Sequence, residues 1–550
     1  MLSGNGQPIE VAEASASTAA EPVRNVGVDP AYRSSSLGSQ ELASYVPAMA
    51  SGDGASLWNQ RLTLDRVNDL ARNDPIAVAG INRLVDMLIG EGLNLSARPD
   101  AAALKIDRSA ARQIGRSFES EWKLFWDDPL KRTDFRRRMT GAGIFRQGAR
   151  TLVRGGEAAY VLRWRTGEVT RYRTAVQTID PDRIRNPYGA PDSWTIRGGV
   201  EHDDDQMPIA YHVTEAHPAD WFAGTRMTTW TRIPRETSWG RPVFVHAYEP
   251  DREDQTRAIS PFASLVSSLR MVTRHGDTEI AAAAVNALFA AFITSSLSAE
   301  DVATSLTPVA GTHESRATSR AKFYQTIKPT LNGVRIPVLP IGDEVKINGT
   351  PRQTTAFPAF RAAFLQSIAS ALGLSYEQLS MDWSKSTFSS ARAALNEVWR
   401  SIRRLLAVFR DQYVAPIYYA FLEEAIDRGY VSIPGGLDAF HAMPAAWMTA
   451  RWIGPGRGYV DPETEADAAG KRMGQLTSTL ADEAAEQGKD IEEVLDQIEA
   501  EEEMLAARGL TRLTVTGAMP GQATGADGKK PDEKAKARDR KEERPDVSAS

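Results

Sequence analysis

The chain has 550 residues, room for three to four domain-sized units at about 150 residues each. Hydrophobic residues make up 42% and charged residues 25%, the balance of a folded globular protein, and 65 Lys and Arg against 71 Asp and Glu leave a formal charge of -6. That charge argues against a surface built to grip phosphate through counterion release, and the absence of cysteine excludes disulfides, thiolate zinc sites, iron–sulfur clusters and cysteine nucleophiles together.

Residues 1–55 are rich in Ala, Ser and Gly, bury too little apolar surface to offset the entropy of ordering, and read as a flexible arm without the charged and apolar regions of a signal peptide. Asp74-Pro75 then pairs an N-cap acid with a proline at the first helical position. Ile76, Ile81, Leu84, Val85 and Leu88 follow on one face, and Gly90 and Gly92 end the helix. A second helix is expected over Ser109 to Trp126, with Phe118, Trp122 and Phe125 as its stripe. From about Gly155 to Glu249 the pattern changes to short β-rich runs, Ala158–Trp164, Pro208–Thr214 and Val243–Glu249, which makes this part α+β.

Ser260-Pro261 repeats the cap-and-proline start, and helical spacing persists to Ile293 with Gly276 as the weak point, a length of about 50 Å at 1.5 Å per residue. Its apolar end, Ile280–Ile293, is too short to span a bilayer, so no membrane partner is expected. Thr294–Asn348 is a mixed segment with a strand-like Gly333–Leu339. A helix over Phe357–Leu372, a loop over Gly373–Ser390 and a long helix over Ala391–Arg428 follow, the last expected to kink at Pro416. After an irregular crossing at Met443–Trp452, the Gly454–Gly458 turn leads to a helix start at Asp461-Pro462, and Asp490 with Glu493 forms a capping box for a final helix ending at Arg508-Gly509. Beyond Gly517, Lys and Arg are nearly cancelled by Asp and Glu in what reads as a solvated tail.

Catalytic patterns are missing. His313-Glu314 begins a zinc-protease helix motif, but Ala317 stands where the second His belongs. His202, His212 and His217 near Asp203, Asp204 and Asp205 have spacings of 10 and 5 that match no metal site and read as a polar turn. There is no phosphate-binding Gly-x-x-x-x-Gly-Lys loop and no Gly-x-Ser-x-Gly elbow, and the acidic run Asp482–Glu503 suits a solvated helix face. No catalytic residue, metal or cofactor is expected. Arg400, Arg403, Arg404 and Arg410 place part of their set on one helix face, where they meet either DNA or an acidic neighbour such as another copy's helix.

Several separated segments stand in a recognisable order: Leu70-Ala71-Arg72-Asn73-Asp74-Pro75 through Gly90-Glu91-Gly92, Gly155-Gly156-Glu157-Ala158, Ile179-Asp180-Pro181-Asp182-Arg183-Ile184, Gln255-Thr256-Arg257-Ala258-Ile259-Ser260-Pro261, Trp447 with Val460-Asp461-Pro462 and Glu465-Ala466, and Gly488-Lys489-Asp490. Over about residues 60–510 the chain resembles tailed-phage portal proteins of the lambda type. The resemblance implies a non-enzymatic ring of subunits, twelve in assembled phage portals, at one capsid vertex of the virion, assembled in the host cytoplasm around a channel for double-stranded DNA. It implies as partners the terminase large subunit, the major capsid and scaffolding proteins, and the head-completion and tail adaptor proteins.

On that map, 56–256 and 391–445 are the two parts of an α/β wing, 257–293 and 351–372 are stem helices, and 294–350 is the clip. Residues 373–390 are the tunnel loop, 446–516 a helical crown, and 1–55 and 517–550 the arms. Long helices joined by an irregular excursion make a poor small-molecule pocket but a good stave for a closed ring, and weak net charge suits a conduit through which DNA slides. Within the loop, Tyr376, Trp383 and Lys385 are the candidates for facing DNA, Lys385 by touching phosphate and the aromatics by packing on the backbone, while Trp383 equally suits packing between subunits. A non-portal head or adaptor protein is the alternative, and a phage hydrolase or nuclease a third reading that lacks a convergent site.

Overall fold

The computed structural model describes residues 44–167, 170–293, 330–331, 334–335, 356–384, 386–458 and 462–510. Most of both terminal arms and of 294–350 lie outside the described residues, as do Lys385, His313, Glu314 and Asp461. The helices named below are α1 (Gln60–Asn73), α2 (Pro75–Leu88), α3 (Arg108–Trp126), α4 (Gly141–Gly155), α5 (Val266–Ile293), α6 (Ala356–Ala371), α7 (Tyr376–Ser380), α8 (Phe388–Phe409), α9 (Ala415–Asp427), α10 (Pro462–Gly474), α11 (Leu480–Glu486) and α12 (Ile491–Ala507). The strands are β1 (Asn94–Ala97), β2 (Glu157–Trp164), β3 (Thr174–Ile179), β4 (Ile196–Arg197), β5 (Val200–His202), β6 (Pro208–Thr214), β7 (Trp230–Pro234), β8 (Phe244–Tyr248), β9 (Thr330–Leu331), β10 (Val334–Arg335) and β11 (Ala450–Ile453). The architecture is α+β, as expected. Among the described residues no helix is long and apolar enough to cross a membrane.

Two antiparallel sheets organise the β-rich part, one ordered β3-β2-β8 and the other β4-β5-β6-β7. Strand β2 reads Glu-Ala-Ala-Tyr-Val-Leu-Arg-Trp and is buried on both faces until Arg163. Alternation sends Ala158, Tyr160 and Leu162 into the main core and Ala159 and Val161 into a smaller one with Ile179, Val200, Tyr211 and Phe244. In the main core Trp122 stacks on Trp126 at 4.8 Å and meets Tyr418, Phe421 and Trp452 edge-on within 5.7 Å. Each such aromatic pair adds about 0.5–1.5 kcal/mol beyond the area it buries.

Several expectations meet corrections. Asp74 caps α2 as predicted, accepting from Ile76 and Ala77 at 2.9 Å each, but the helix expected from Ser260 begins at Val266 after a 3-10 turn. Ser260 is pulled aside, since its hydroxyl donates to the Arg154 carbonyl at 2.6 Å and accepts from Phe262. The helix then runs through Gly276 without a break. The long helix after the loop starts at Phe388, capped by Thr387, and its irregularity is a π turn at Arg410–Val414, one turn before Pro416, in which the Ala415 amide reaches back to the Arg410 carbonyl. A ring that wide accommodates the proline's missing donor.

The crossing at 443–452 contains β11, which pairs antiparallel with β1, Asn94 opposite Ile453 and Ala97 opposite Ala450. The Gly454–Gly458 stretch docks on the last helices, where the Arg457 amide donates to the Glu486 carbonyl at 3.0 Å. Asp490 caps α12, but Glu493 does not complete a capping box: it turns to Lys123 on α3. At the other end the folded body begins inside the expected arm, with Ser51 capping a short helix and Asp53 meeting Arg197 at 2.6 Å.

Candidate nucleic-acid interface

The loop between α6 and α8 holds all three aromatic and basic candidates, two of them among the described residues. Ser375 caps α7 through a capping box with Gln378 and so fixes Tyr376 as the first helical residue. Tyr376 is half-buried against the main core, and its carbonyl accepts from the Ser380 hydroxyl at 2.7 Å. Trp383 is 41% exposed in the turn that follows, where the Asp382 carboxylate accepts from the amide and hydroxyl of Ser384. Lys385 lies outside the described residues. The structure therefore places Trp383 toward solvent and Tyr376 against the body.

Helix α8 buries Val398, Ile402 and Phe409 and turns its arginines outward. Each predicted arginine meets a carboxylate of its own chain: Arg400 meets Glu397 at 2.7 Å, Arg403 meets Glu486 at 3.6 Å, Arg404 meets Glu249, and Arg410 meets Asp411 at 2.6 Å. Arg392, farther up the helix, meets Glu465 at 3.8 Å. Exposed pairs of this kind contribute about 0–1 kcal/mol, so a phosphate can exchange for a carboxylate at little cost. The result is a nearly neutral surface with cations held in place.

Sequence reasoning missed the most buried charge cluster. Glu157, at the start of β2, receives Arg257 through both Nε and Nη2, His246 Nε2 at 2.8 Å and the Ala258 amide. Arg257 also donates to the carbonyls of Ile184, Gly198 and Pro181 at 2.8–3.0 Å. Burial alone would raise the Glu157 pKa, but Arg257 and His246 outweigh it and hold the carboxyl down to about 2. The neighbouring Gly156 adopts φ 86°, and a Cβ there would lie 2.4 Å from the Ile259 carbonyl oxygen, so only glycine fits. A signal existed, because the segments around Gly156, Pro181 and Arg257 are three of those that carry the family resemblance, and they meet here.

The histidines separate. His212 bonds Glu201 at 3.0 Å, and His217 faces Asp182 at 3.6 Å rather than Asp203, Asp204 or Asp205. Asp180, Asp182 and His217 do bring three potential ligand atoms within 4.8 Å of one another. Their chemistry does not fit a cation: His217 Nδ1 accepts the Ala219 amide at 3.1 Å, which leaves the proton on the Nε2 that faces Asp182. Elsewhere, Glu119 lines a cavity of about 500 Å³ between α3 and the Gln487–Glu493 segment. Burial, with Asp490 and Glu492 nearby, raises its pKa to about 7 despite the hydrogen bond it accepts from the Ala97 amide.

This arrangement offers exposed arginines paired with carboxylates and buried structural ion pairs. The chain has relatives among known proteins. The chain is 31% identical to Portal protein B of Escherichia phage lambda over 83% of this chain and 86% of that protein, and 29% identical to the portal protein of Escherichia phage N15 over 86% and 89%. Among solved structures, a chain in the neck of a native GTA particle is similar at a TM-score of 0.37 and 12% identity, over 77% of this chain and 93% of that one, a likeness too remote to bear on function. Residues 38–405 match the model of the phage portal protein, lambda family. The chain belongs to the lambda family of phage portal proteins, a structural rather than an enzymatic family.

Proposed function

We propose that copies of this chain close into a ring, twelve as in assembled phage portals, at one vertex of the virion capsid, and that double-stranded DNA passes through its centre during packaging and ejection. The observation that carries this reading beyond family membership is the pair α5 and α6. They lie side by side, with His275 edge-on to Phe357 at 5.4 Å and to Phe360 at 4.7 Å. Met271, Ile280 and Phe360 nevertheless stay exposed, as an isolated chain leaves a face that the next copy in a ring would cover.

In this reading 56–256 and 391–445 form the wing together with the short helix that Ser51 caps, 257–293 and 351–372 the stem, 294–350 the clip toward the terminase, 373–390 the tunnel loop and 446–516 the crown, with arms before Ser51 and at 517–550. The ring nucleates head assembly with the capsid and scaffolding proteins, docks the terminase large subunit, and later receives head-completion and tail adaptor proteins. Trp383 and Lys385 face DNA without reading its sequence, with Tyr376 supporting the loop, and Arg400, Arg403, Arg404 and Arg410 line either the channel or the neighbouring subunit.

Negative-stain electron microscopy of the purified chain tests the ring: averages with a central hole and high rotational symmetry are expected, and monomers persisting across salt and concentration would reject self-assembly. Lys385→Ala is expected to leave rings intact while changing packaging or DNA retention. Unchanged packaging and retention would remove Lys385 from the channel surface.

A further inference from the structure

The last helices are held to the body in an unusual way. Every ion pair between residues 462–510 and the rest of the described chain has its cation on the body and its acid on the C-terminal segment: Arg112 and Arg116 with Glu492, Arg116 with Asp496, Lys123 with Glu493, Arg392 with Glu465, Arg403 with Glu486, and Arg451 with Asp482. Residues 480–510 hold eleven Asp and Glu against Lys489 and Arg508. No residue of α12 is buried, and Leu495 and Met504 stay exposed, so apolar packing does not fasten it. Apart from the main-chain bond from Arg457 to Glu486 and the close packing of Gly456 on Gln487, the contact rests on charge.

On the body side, Arg112, Arg116 and Lys123 follow one another at spacings of four and seven along one face of α3, with side chains 55–69% exposed even beneath α12. Arg112 and Arg116 share Glu492, Arg116 also reaches Asp496, and Lys123 reaches Glu493, so three partly solvated cations, with Glu119 between the last two, are covered by three carboxylates standing where backbone phosphates could. We propose that the Arg112–Arg116–Lys123 face of α3 is a binding site for the backbone of duplex DNA, and that α12 is its internal acidic cover, released when the competing polyanion or salt breaks the Glu492, Glu493 and Asp496 pairs. The site lies on a different helix from the arginines of α8 and does not depend on ring formation.

The test uses the full chain and a blunt DNA duplex of about 30 base pairs, read by fluorescence anisotropy across a salt series. Neutralising the cover with Glu492→Gln, Glu493→Gln and Asp496→Asn together is expected to tighten binding about tenfold at low salt and to steepen the slope of log K against log salt by about 2–3, since each phosphate contact adds about 0.9. Adding Arg112→Gln, Arg116→Gln and Lys123→Gln should return both quantities to the starting values. Glu499→Gln, Glu502→Gln and Glu503→Gln change the net charge equally on the same helix at acids that pair with none of those cations, and should tighten binding far less. Equal tightening by that control, no tightening by the first variant, or tightening that survives loss of the three cations would each overturn the proposal.

Discussion

The body and the C-terminal segment use opposite means of cohesion. Around Trp122, Phe421 and Trp452 the body is a continuous aromatic core, and its ionic groups, such as Glu157 and Arg257, are buried and fully bonded. The segment from Pro462 onward buries almost nothing apolar and attaches mainly through exposed ion pairs, with one main-chain bond from Arg457 to Glu486. Burying an aromatic side chain yields several kcal/mol, whereas an exposed pair yields about 0–1 kcal/mol and weakens with salt. One region should unfold as a unit, and the other should come away first.

Mutations that break the contrast follow in order of size. Trp122→Ala removes the ring at the centre of the cluster and should cost about 3–5 kcal/mol in urea unfolding of the body. Glu157→Gln should cost about 3 kcal/mol near neutral pH, because it leaves Arg257 buried without its counter-charge. The Glu157 carboxyl is depressed in the fold, so its contribution is complete above about pH 4.5 and fades as pH falls toward 2. Melting temperatures of parent and variant should converge over that window, and a constant gap would refute the assignment.

Glu119 works with the opposite sign. Its folded pKa lies near 7, above the ordinary 4.5, so the fold binds the extra proton and stability is lost as pH rises from about 4.5 to 7. Glu119→Gln should match the parent at about pH 4.5 and exceed it at about pH 8 by about 1 kcal/mol, a figure reduced for the group's partial exposure. Equal melting curves at both pH values would mean that the cavity does not hold the carboxyl neutral. The smallest effect belongs to Lys123→Gln, which should shift global stability by less than about 1 kcal/mol yet speed trypsin cleavage within 462–510, as should raising salt from about 0.05 M to about 0.5 M for the parent. Resistance of that segment in high salt would show a non-ionic attachment.

Local patterns in the chain announced much of this and hid the rest for physical reasons. Asp74-Pro75 and the Phe118, Trp122, Phe125 stripe predicted their helices because cap and period lie within a few residues of each other. Helix α4 escaped notice because Gly141, Gly143, Gly148, Gly155 and Gly156 look like a loop. At Gly148 the glycine serves packing, since a Cβ would sit 2.3 Å from the Tyr413 ring. The β1–β11 pairing joins residues far apart in sequence, and neither strand has a turn signal naming the other.

For the candidate surface, the α8 arginines were visible from spacing, but their partners Glu249 and Glu486 come from distant elements. The Arg257 knot was legible only indirectly. Its segments stood out as parts of a familiar order before anything connected them, and the shared reason is that one buried guanidinium needs all of them at once.

The π turn at Arg410–Val414 acts on orientation rather than strength. One residue beyond a normal turn advances the azimuth of everything downstream by about 100°. Helix α8 keeps a wet arginine side up to that point, while α9 emerges with Glu423 and Glu424 swung inward, one meeting Arg241, Trp239 and His441, the other accepting from the Arg173 and Thr174 amides. A continuous α-helix of the same sequence would aim those two carboxylates elsewhere. The turn is thus a rotary coupling: straightening it at full length would dial both acids away from their sockets while leaving the arginine row where it is, and deleting one of its residues would let an ordinary α turn keep them there.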